Sequence, residues 1–124
     1  MASKPQLVLC VDDELVGLQV RRILLERAGY QVLTASSGPE GLTLFAANPV
    51  DVVVLDYAMP GMDGGVVAAE MRRRRPDVPI LLLTAYVSLP AEVSARIDTI
   101  MTKGEGAPLL LERLQQLLSR RTAS

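Results

Sequence analysis

The sequence contains no histidine and no tryptophan, and it has one cysteine among 124 residues. Histidine is the commonest general base at neutral pH and a common metal ligand. Any chemistry in this chain must therefore rest on carboxylates, hydroxyls and lysine. The single cysteine, Cys10, excludes an internal disulfide and lies in the apolar run LVLCV, where we expect it to be buried. One unpaired cysteine fits a reducing compartment, so we expect a cytoplasmic protein.

Aromatic residues are also scarce, at 3%, whereas hydrophobic residues make up 49% of the chain. The core must therefore be aliphatic, and the length suits one domain over residues 1–124 with a core from about residue 6 to 120. The formal net charge of -1 lacks the positive excess that is typical of proteins that bind nucleic acid directly. No segment approaches the roughly 20 apolar residues that span a bilayer, and the N-terminus does not resemble a signal peptide. We therefore expect no membrane insertion.

Apolar, β-branched runs alternate with helical patterns along the chain. Continuous apolar runs are typical of strands buried on both faces of a parallel sheet. The predicted strands are Leu7–Val11, Gln31–Thr34, Val52–Leu55, Ile80–Thr84 and, weakly, Ile97–Met101. The predicted helices are Glu14–Ala28, Pro39–Ala47, Gly64–Arg74, a short one from Pro90 to about Arg96, and Pro108–Arg121. This alternation predicts an α/β fold, a doubly wound parallel sheet with helices on both faces.

Local signals support the helix boundaries. Ser37 and Asp63 are suitable N-caps for the second and third helices, and Gly29 is a natural residue just beyond the end of the first. The spacing of apolar residues in the first helix predicts one buried face, formed by Leu15, Leu18, Ile23 and Leu25.

Polar residues follow the predicted strands. Asp12, Asp13 and Glu14 follow the first strand, Asp56 the third, Thr84 ends the fourth, and Lys103 follows the fifth. In open α/β sheets ligands bind at the carboxyl ends of the strands. Clustered carboxylates repel unless a cation joins them, and Mg²⁺ suits such oxygen ligands, whereas zinc is disfavoured without histidine or a usable thiolate. The pattern predicts a magnesium site at which a carboxylate accepts a phosphoryl group beside Lys103 and Thr84.

Each of these residues has an ordinary structural interpretation when taken alone. Asp56 could cap a turn, the Asp12–Asp13 pair could cap the first helix, Thr84 could simply end a strand, and Lys103 could be a solvated surface residue. The occurrence of all of them after four different strands favours a site.

At these residues the sequence resembles the receiver domain of two-component response regulators. The resemblance runs from about Gln6 to Arg120 and rests on VLCVDDE, DVVVLDYAMPGMDG, PDVPILLLTA and TIMTKG. It implies a flavodoxin-like sheet of order 2-1-3-4-5. It also implies that Asp56 is the phosphoacceptor, that Asp12, Asp13, Asp56 and the backbone carbonyl of Ala58 hold Mg²⁺, and that Thr84 and Lys103 contact the phosphoryl group.

The resemblance further implies the partners. The donor would be a phosphohistidine on a sensor histidine kinase or a histidine phosphotransfer protein, the output an unidentified downstream protein, and a homodimer is compatible with the family. The chain would act as a switched binding protein and not as an enzyme. We expect a stand-alone receiver, with an excised fragment of a longer protein as the open alternative.

Three departures from the family pattern concern the face that would carry the signal, which is formed by the fourth helix, the fifth strand and the fifth helix. Ile100 stands where the family usually has an aromatic residue, Gly104 replaces the usual proline after the lysine, and the stretch from Thr84 to Lys103 is short. The fourth helix is therefore expected to be short or irregular. The alternative function is a receiver that does not switch and acts as a constitutive protein-interaction module.

Two further expectations concern neighbouring residues. Ala58 offers no side chain to orient an attacking water and Tyr86 is bulky enough to shield an acyl phosphate, so we expect slow self-dephosphorylation. The run MRRRRPD, from Met71 to Asp77, is predicted to be a solvated cluster at a helix C-terminus.

Overall fold

The computed structural model describes residues 4–85 and 88–123. Within these residues, five parallel strands form one sheet: β1 (Leu7–Val11), β2 (Gln31–Ala35), β3 (Val52–Asp56), β4 (Ile80–Thr84) and β5 (Thr99–Thr102). Their order is β2-β1-β3-β4-β5. Both the predicted doubly wound sheet and the order implied by the resemblance are confirmed.

In the described part of the chain, five helices follow the strands: α1 (Leu15–Arg27), α2 (Gly38–Ala47), α3 (Gly64–Arg74), α4 (Ala91–Ser94) and α5 (Ala107–Ala123). Side chains from α1 and α5 form one core cluster with the sheet, and those from α2, α3 and α4 form the other. The predicted short fourth helix is confirmed, since α4 has four residues. No helix in the described part of the chain is long and apolar enough to cross a bilayer.

The strands are buried on both faces because helices cover both sides of the sheet. Successive residues of β1 alternate between the two clusters, with Leu9 packed toward α2 and α3 and Cys10 toward α1 and α5. This explains why the apolar runs are continuous and not alternating. Cys10 is fully buried, as predicted, and burial raises the pKa of its thiol to about 12. The thiol is therefore unreactive at neutral pH.

The predicted helix boundaries hold where a cap defines them. The Ser37 hydroxyl accepts a hydrogen bond from the backbone N–H of Glu40 at 3.3 Å, and the Asp63 carboxylate accepts one from Val66 at 3.0 Å. Gly29 adopts a φ of 100° beyond α1, a conformation that glycine tolerates best.

The predicted apolar face of α1 is only half correct. Leu18 and Leu25 are buried, but Leu15 is 63% exposed and Ile23 is 46% exposed. With roughly 100° between successive residues, Ile23 projects about 140° away from Leu18. It therefore cannot face the same core, and this part of the prediction is wrong.

The predicted start of β5 at Ile97 is also wrong. The Asp98 carboxylate accepts a hydrogen bond from the backbone N–H of Ile80 at 2.7 Å, while the Asp98 N–H donates to the Ile80 carbonyl at 3.0 Å. Because this side chain occupies the first pairing position, regular pairing begins with Leu81 and Thr99.

The arginines at the end of α3 are not a uniformly solvated cluster, which corrects the prediction for two of them. Arg72 donates to the backbone carbonyl of Arg96 at 3.1 Å and contacts the Asp98 carboxylate, so it ties α3 to the segment before β5. Arg75 lies 4.3 Å from the centroid of the Phe45 ring. A backbone carbonyl and a carboxylate outside α3 and a nearby ring, which sequence spacing does not reveal, hold these side chains in place.

Candidate functional site

The register of the sheet brings four strand ends to one edge. Val11 pairs with Leu55, and Thr84 pairs with Thr102, so the residues that follow these positions lie close together. The backbone N–H of Lys103 donates to the Thr84 carbonyl at 3.0 Å, which continues the β4–β5 pairing beyond the last strand residue. The rigid sheet therefore determines where the polar side chains emerge.

Three carboxylates converge at this edge. One oxygen from each of Asp12, Asp13 and Asp56 lies within 4.8 Å of the others. Asp12 and Asp56 are buried, whereas Asp13 is exposed. Carboxylates at this spacing repel one another unless a cation joins them, and Mg²⁺ prefers such oxygen donors. The residues therefore fit the predicted magnesium ion.

Asp56 has the most perturbed environment of the three. It is 1% exposed, and burial raises the pKa of its carboxyl to about 6, with the Lys103 ammonium opposing the rise and Asp12 adding to it. Neither of its oxygens has a hydrogen-bond partner of good geometry among the described residues. A buried, poorly satisfied carboxylate with a raised pKa is typical of a functional group.

Lys103 balances part of the negative charge. Its Nζ lies 3.0 Å from Asp56 Oδ1, 3.0 Å from Glu14 Oε1 and 3.8 Å from Asp12 Oδ2. Partial burial disfavours the ammonium, but the contacts with Asp56 and Glu14 outweigh it and raise the pKa of Lys103. The structure thus places a permanently charged lysine beside the buried aspartate.

The remaining predicted site residues differ in what the structure says about them. Thr84 is buried at the end of β4, on the same edge as Asp56. Ala58 is exposed in the loop that follows β3, and its role as a carbonyl ligand stays a prediction. Tyr86 lies outside the described residues, so the expectation of slow self-dephosphorylation stays a prediction as well.

Sequence reasoning missed Arg21. This residue lies in α1, and its guanidinium forms an ion pair with the Asp12 carboxylate across nine positions of sequence. Its side chain is only 17% exposed. No spacing rule predicts such a contact, because Asp12 lies outside the helix and the pairing depends on how α1 leaves the sheet.

Sequence reasoning also missed an apolar surface next to the site. Val16 is 80% exposed and Val20 is 60% exposed, one turn apart on α1. These two side chains form a surface that begins shortly after the Asp12–Asp13 loop, and we refer to Val16 and Val20 as the α1 apolar surface. Apolar patches of this kind commonly mark contact sites.

Comparison with known proteins identifies the family. Residues 8–116 match the family described as the response regulator receiver domain. The chain is 40% identical over 123 residues to the transcriptional regulatory protein GlrR of Escherichia coli, covering 97% of this chain and 28% of that protein. It is 38% identical over 121 residues to the response regulator MprA of Mycolicibacterium vanbaalenii, covering 95% of this chain and 52% of that protein. The chain thus spans about a quarter to a half of these relatives.

Solved structures show the same fold. A CheY-like receiver domain from Methanospirillum hungatei superposes with a TM-score of 0.90 at 26% identity, covering 97% of this chain and 98% of that one. The response regulator TrrA from Thermotoga maritima, solved in complex with Mg²⁺ and BeF, has a TM-score of 0.85 at 34% identity, covering 90% of this chain and 98% of that one. The sequence match, the sheet order and the convergent carboxylates agree, and the chain belongs to the response regulator receiver domain family.

Proposed function

We propose that this protein is the phosphoacceptor of a two-component phosphorelay, that Asp56 carries the phosphoryl group, and that Mg²⁺ is required. The observation that carries the proposal is the state of Asp56. Its carboxylate is buried and without a well-aligned hydrogen bond, yet it lies 3.0 Å from Lys103 and next to two further carboxylates. A purely structural aspartate at this depth would accept well-aligned hydrogen bonds in addition to an ion pair.

The residues supply the parts that phosphoryl transfer needs. An Asp56 oxygen attacks the phosphorus of a phosphohistidine, and the phosphorus–nitrogen bond breaks as the acyl phosphate bond forms. The leaving imidazole nitrogen keeps the electron pair and takes up a proton. Lys103 offers positive charge to the phosphoryl oxygens, and Thr84 offers its hydroxyl from the adjacent strand end. Because this reaction needs mainly placement and charge stabilisation, a rigid sheet edge suits it.

Asp12, Asp13 and Asp56, together with the backbone carbonyl of Ala58, are the proposed magnesium ligands. When bound, the ion neutralises these carboxylates and attracts the phosphoryl oxygens. Asp12 and Asp56 are held by buried backbone at the ends of β1 and β3, so the donor set is largely preformed.

The donor is proposed to be a sensor histidine kinase or a histidine phosphotransfer protein in the cytoplasm. For a phosphohistidine to reach Asp56, its protein must cover the pocket and the surface that borders it. The α1 apolar surface lies on that border and is suited to contact with the apolar side chains of such a partner. The phosphorylated protein is proposed to act by changed binding to a downstream protein and not by turning over a substrate.

The acceptor role is tested by incubating the protein with acetyl phosphate and Mg²⁺ and reading the intact mass. We expect one added phosphoryl group on the wild type and none on Asp56→Asn. Asp77→Asn is the matched control, because Asp77 is exposed and lies outside the site. It should be labelled like the wild type. Equal labelling of wild type and Asp56→Asn would remove Asp56 from its proposed role.

Whether phosphorylation switches the domain is tested with beryllofluoride, which mimics the bound phosphoryl group. We expect its addition with Mg²⁺ to shift backbone amide resonances beyond the pocket, in β5 and α5, because Lys103 and Thr84 connect the pocket to that side of the sheet. Shifts confined to the pocket would favour the constitutive interaction module. That alternative draws its support from α4, which has only one turn, and from Ile100, which is 44% exposed.

A further inference from the structure

Asp12 already has a cation without any metal. The Arg21 guanidinium contacts Asp12 Oδ2 through Nη2, while Asp12 Oδ1 accepts a hydrogen bond from the backbone N–H of Glu14 at 2.9 Å. Lys103 Nζ lies farther from Asp12 Oδ2, at 3.8 Å. Arg21 is therefore the principal counter-ion of a carboxylate that is also a proposed magnesium ligand.

The structure of α1 leaves space for the Arg21 side chain. Its side chain is 17% exposed, although arginine is normally solvated. The helix places Gly17 one turn earlier, and a Cβ at that position would lie 3.7 Å from both Nη1 and Nη2 of Arg21. A side chain longer than alanine at residue 17 would therefore compete with the guanidinium for space.

The contact leaves Arg21 incompletely satisfied. Its Nε is buried and has no hydrogen-bond partner among the described residues. A buried donor without a partner costs free energy. Charge attraction thus holds the Arg21–Asp12 pair although the Nε–H of Arg21 has no hydrogen bond within the described part of the chain. A cation that binds Asp12 more strongly can displace the guanidinium.

The pocket has an excess of negative charge even with Arg21 in place. The charged groups gathered there are the four carboxylates of Asp12, Asp13, Glu14 and Asp56 and the two cations Arg21 and Lys103. The remaining excess of two negative charges suits one divalent ion. However, a guanidinium in contact with Asp12 would repel Mg²⁺ bound to the same carboxylate.

A cavity beside Arg21 offers the guanidinium another position. It has a volume of about 180 Å³ and lies between α1 and the segment that joins β5 to α5, lined in part by Leu24, Leu83 and Met101. Its lining also includes Glu105, whose carboxylate accepts a hydrogen bond from the backbone N–H of Thr102 at 2.9 Å. The cavity therefore provides both space and a carboxylate for a displaced arginine.

We propose that Arg21 is a positioning residue that neutralises Asp12 in the metal-free pocket and must move off Asp12, toward the cavity that contains Glu105, before Mg²⁺ can bind. This inference rests on the proposed function, because it requires Asp12 to be a magnesium ligand. Arg21 therefore lowers the affinity of the pocket for Mg²⁺ and stabilises the metal-free protein. Binding of Mg²⁺ then moves the Arg21 side chain toward the segment that joins β5 to α5.

The test is the dissociation constant of Mg²⁺ measured by titration calorimetry on wild type, Arg21→Met and Arg22→Met. Methionine keeps an unbranched chain and removes the charge. We expect Arg21→Met to bind Mg²⁺ at least about tenfold more tightly than wild type, and to melt at a lower temperature in metal-free buffer. Arg22 is the matched control, since it is the next residue of α1 and its Nε lies 3.9 Å from Glu26 Oε1, away from the pocket. Arg22→Met should stay within about twofold of wild type.

A role confined to stability would lower the melting temperature of Arg21→Met but leave the affinity for Mg²⁺ unchanged, and that result would overturn the inference alone. If neither wild type nor Arg21→Met bound Mg²⁺, the proposed function would fall and this inference with it. A second measurement does not depend on the stability of a variant. The Nε–Hε resonance of Arg21 in ¹⁵N-labelled wild type should shift on saturation with Mg²⁺, and an unmoved resonance would overturn the inference.

Discussion

Asp56→Asn is expected to raise the free energy of unfolding of the metal-free protein by about 3 kcal/mol at about pH 7.5. The reason is the raised pKa of the Asp56 carboxyl, about 6 in the folded protein against an ordinary 3.8. At about pH 7.5 the carboxyl is ionised in both states, but the folded state buries its charge, whereas the unfolded chain exposes it to water. Asparagine has nearly the same shape and no charge, so the variant avoids this penalty.

The pH dependence follows from the sign of the shift. Because the folded state binds the proton of Asp56 more tightly than the unfolded state, the wild type loses stability as pH rises from about 4 through about 6. The advantage of Asp56→Asn should therefore be complete above about pH 7 and vanish below about pH 4. Urea unfolding followed by circular dichroism, in the presence of a chelator and over this pH range, measures both quantities.

Asp77→Asn serves as the control here too, because the Asp77 side chain is 72% exposed and its ion pair with Arg121 at 3.4 Å is screened by solvent. Its stability should stay within about 0.5 kcal/mol of wild type. A variant Asp56→Asn that is less stable than wild type, or equally improved at every pH, would show that the ionisation of Asp56 is not what destabilises the fold. A protein that retains a destabilising carboxylate at this position is best explained by a functional requirement for it.

The sheet and the cluster of acidic residues could be predicted because both follow from local patterns. Runs such as Val52–Leu55 are continuous and β-branched, which indicates strands buried on both faces, and the alternation with helices leaves few topologies. Once the strands are parallel, their carboxyl ends must share one edge, so Asp12, Asp56 and Lys103 are brought together by topology alone. The caps at Ser37 and Asp63 were predictable for the same reason, since each acts within three residues.

The contacts of the arginines could not be predicted in this way. Arg21 meets Asp12, and Arg72 meets Asp98 at a separation of 26 residues, only after the helices have packed on the sheet. Hydrophobic periodicity predicts only that an arginine lies on the polar side of a helix. It does not indicate which carboxylate or carbonyl its long side chain will contact. The exposed valines of α1 were missed for a related reason. Apolar residues were assumed to face the core, although an apolar residue beside a functional pocket can face a partner.

Gly64→Ala is expected to lower the free energy of unfolding by about 3 kcal/mol. Gly64 is the first residue of α3, and its backbone N–H donates to the Tyr57 carbonyl at 2.8 Å. A Cβ on Gly64 would lie 2.6 Å from the backbone oxygen of Asp56 and 2.8 Å from the Cα of Tyr57. Both neighbours are main-chain atoms at the end of a buried strand, so neither can rotate away, and the strain falls at the upper end of the range for overpacked sites.

Gly17→Ala is the matched control for this substitution. An added Cβ at Gly17 makes only ordinary contacts with the Arg21 guanidinium at 3.7 Å, and the position lies inside α1. Alanine is the better helix former, so Gly17→Ala should raise the free energy of unfolding by about 0.5–1 kcal/mol. Urea unfolding of both variants at one pH gives the comparison. If Gly64→Ala were as stable as wild type, the start of α3 could separate from the end of β3 at no cost. The close approach at Gly64 would then not be what holds the backbone of Asp56 in place.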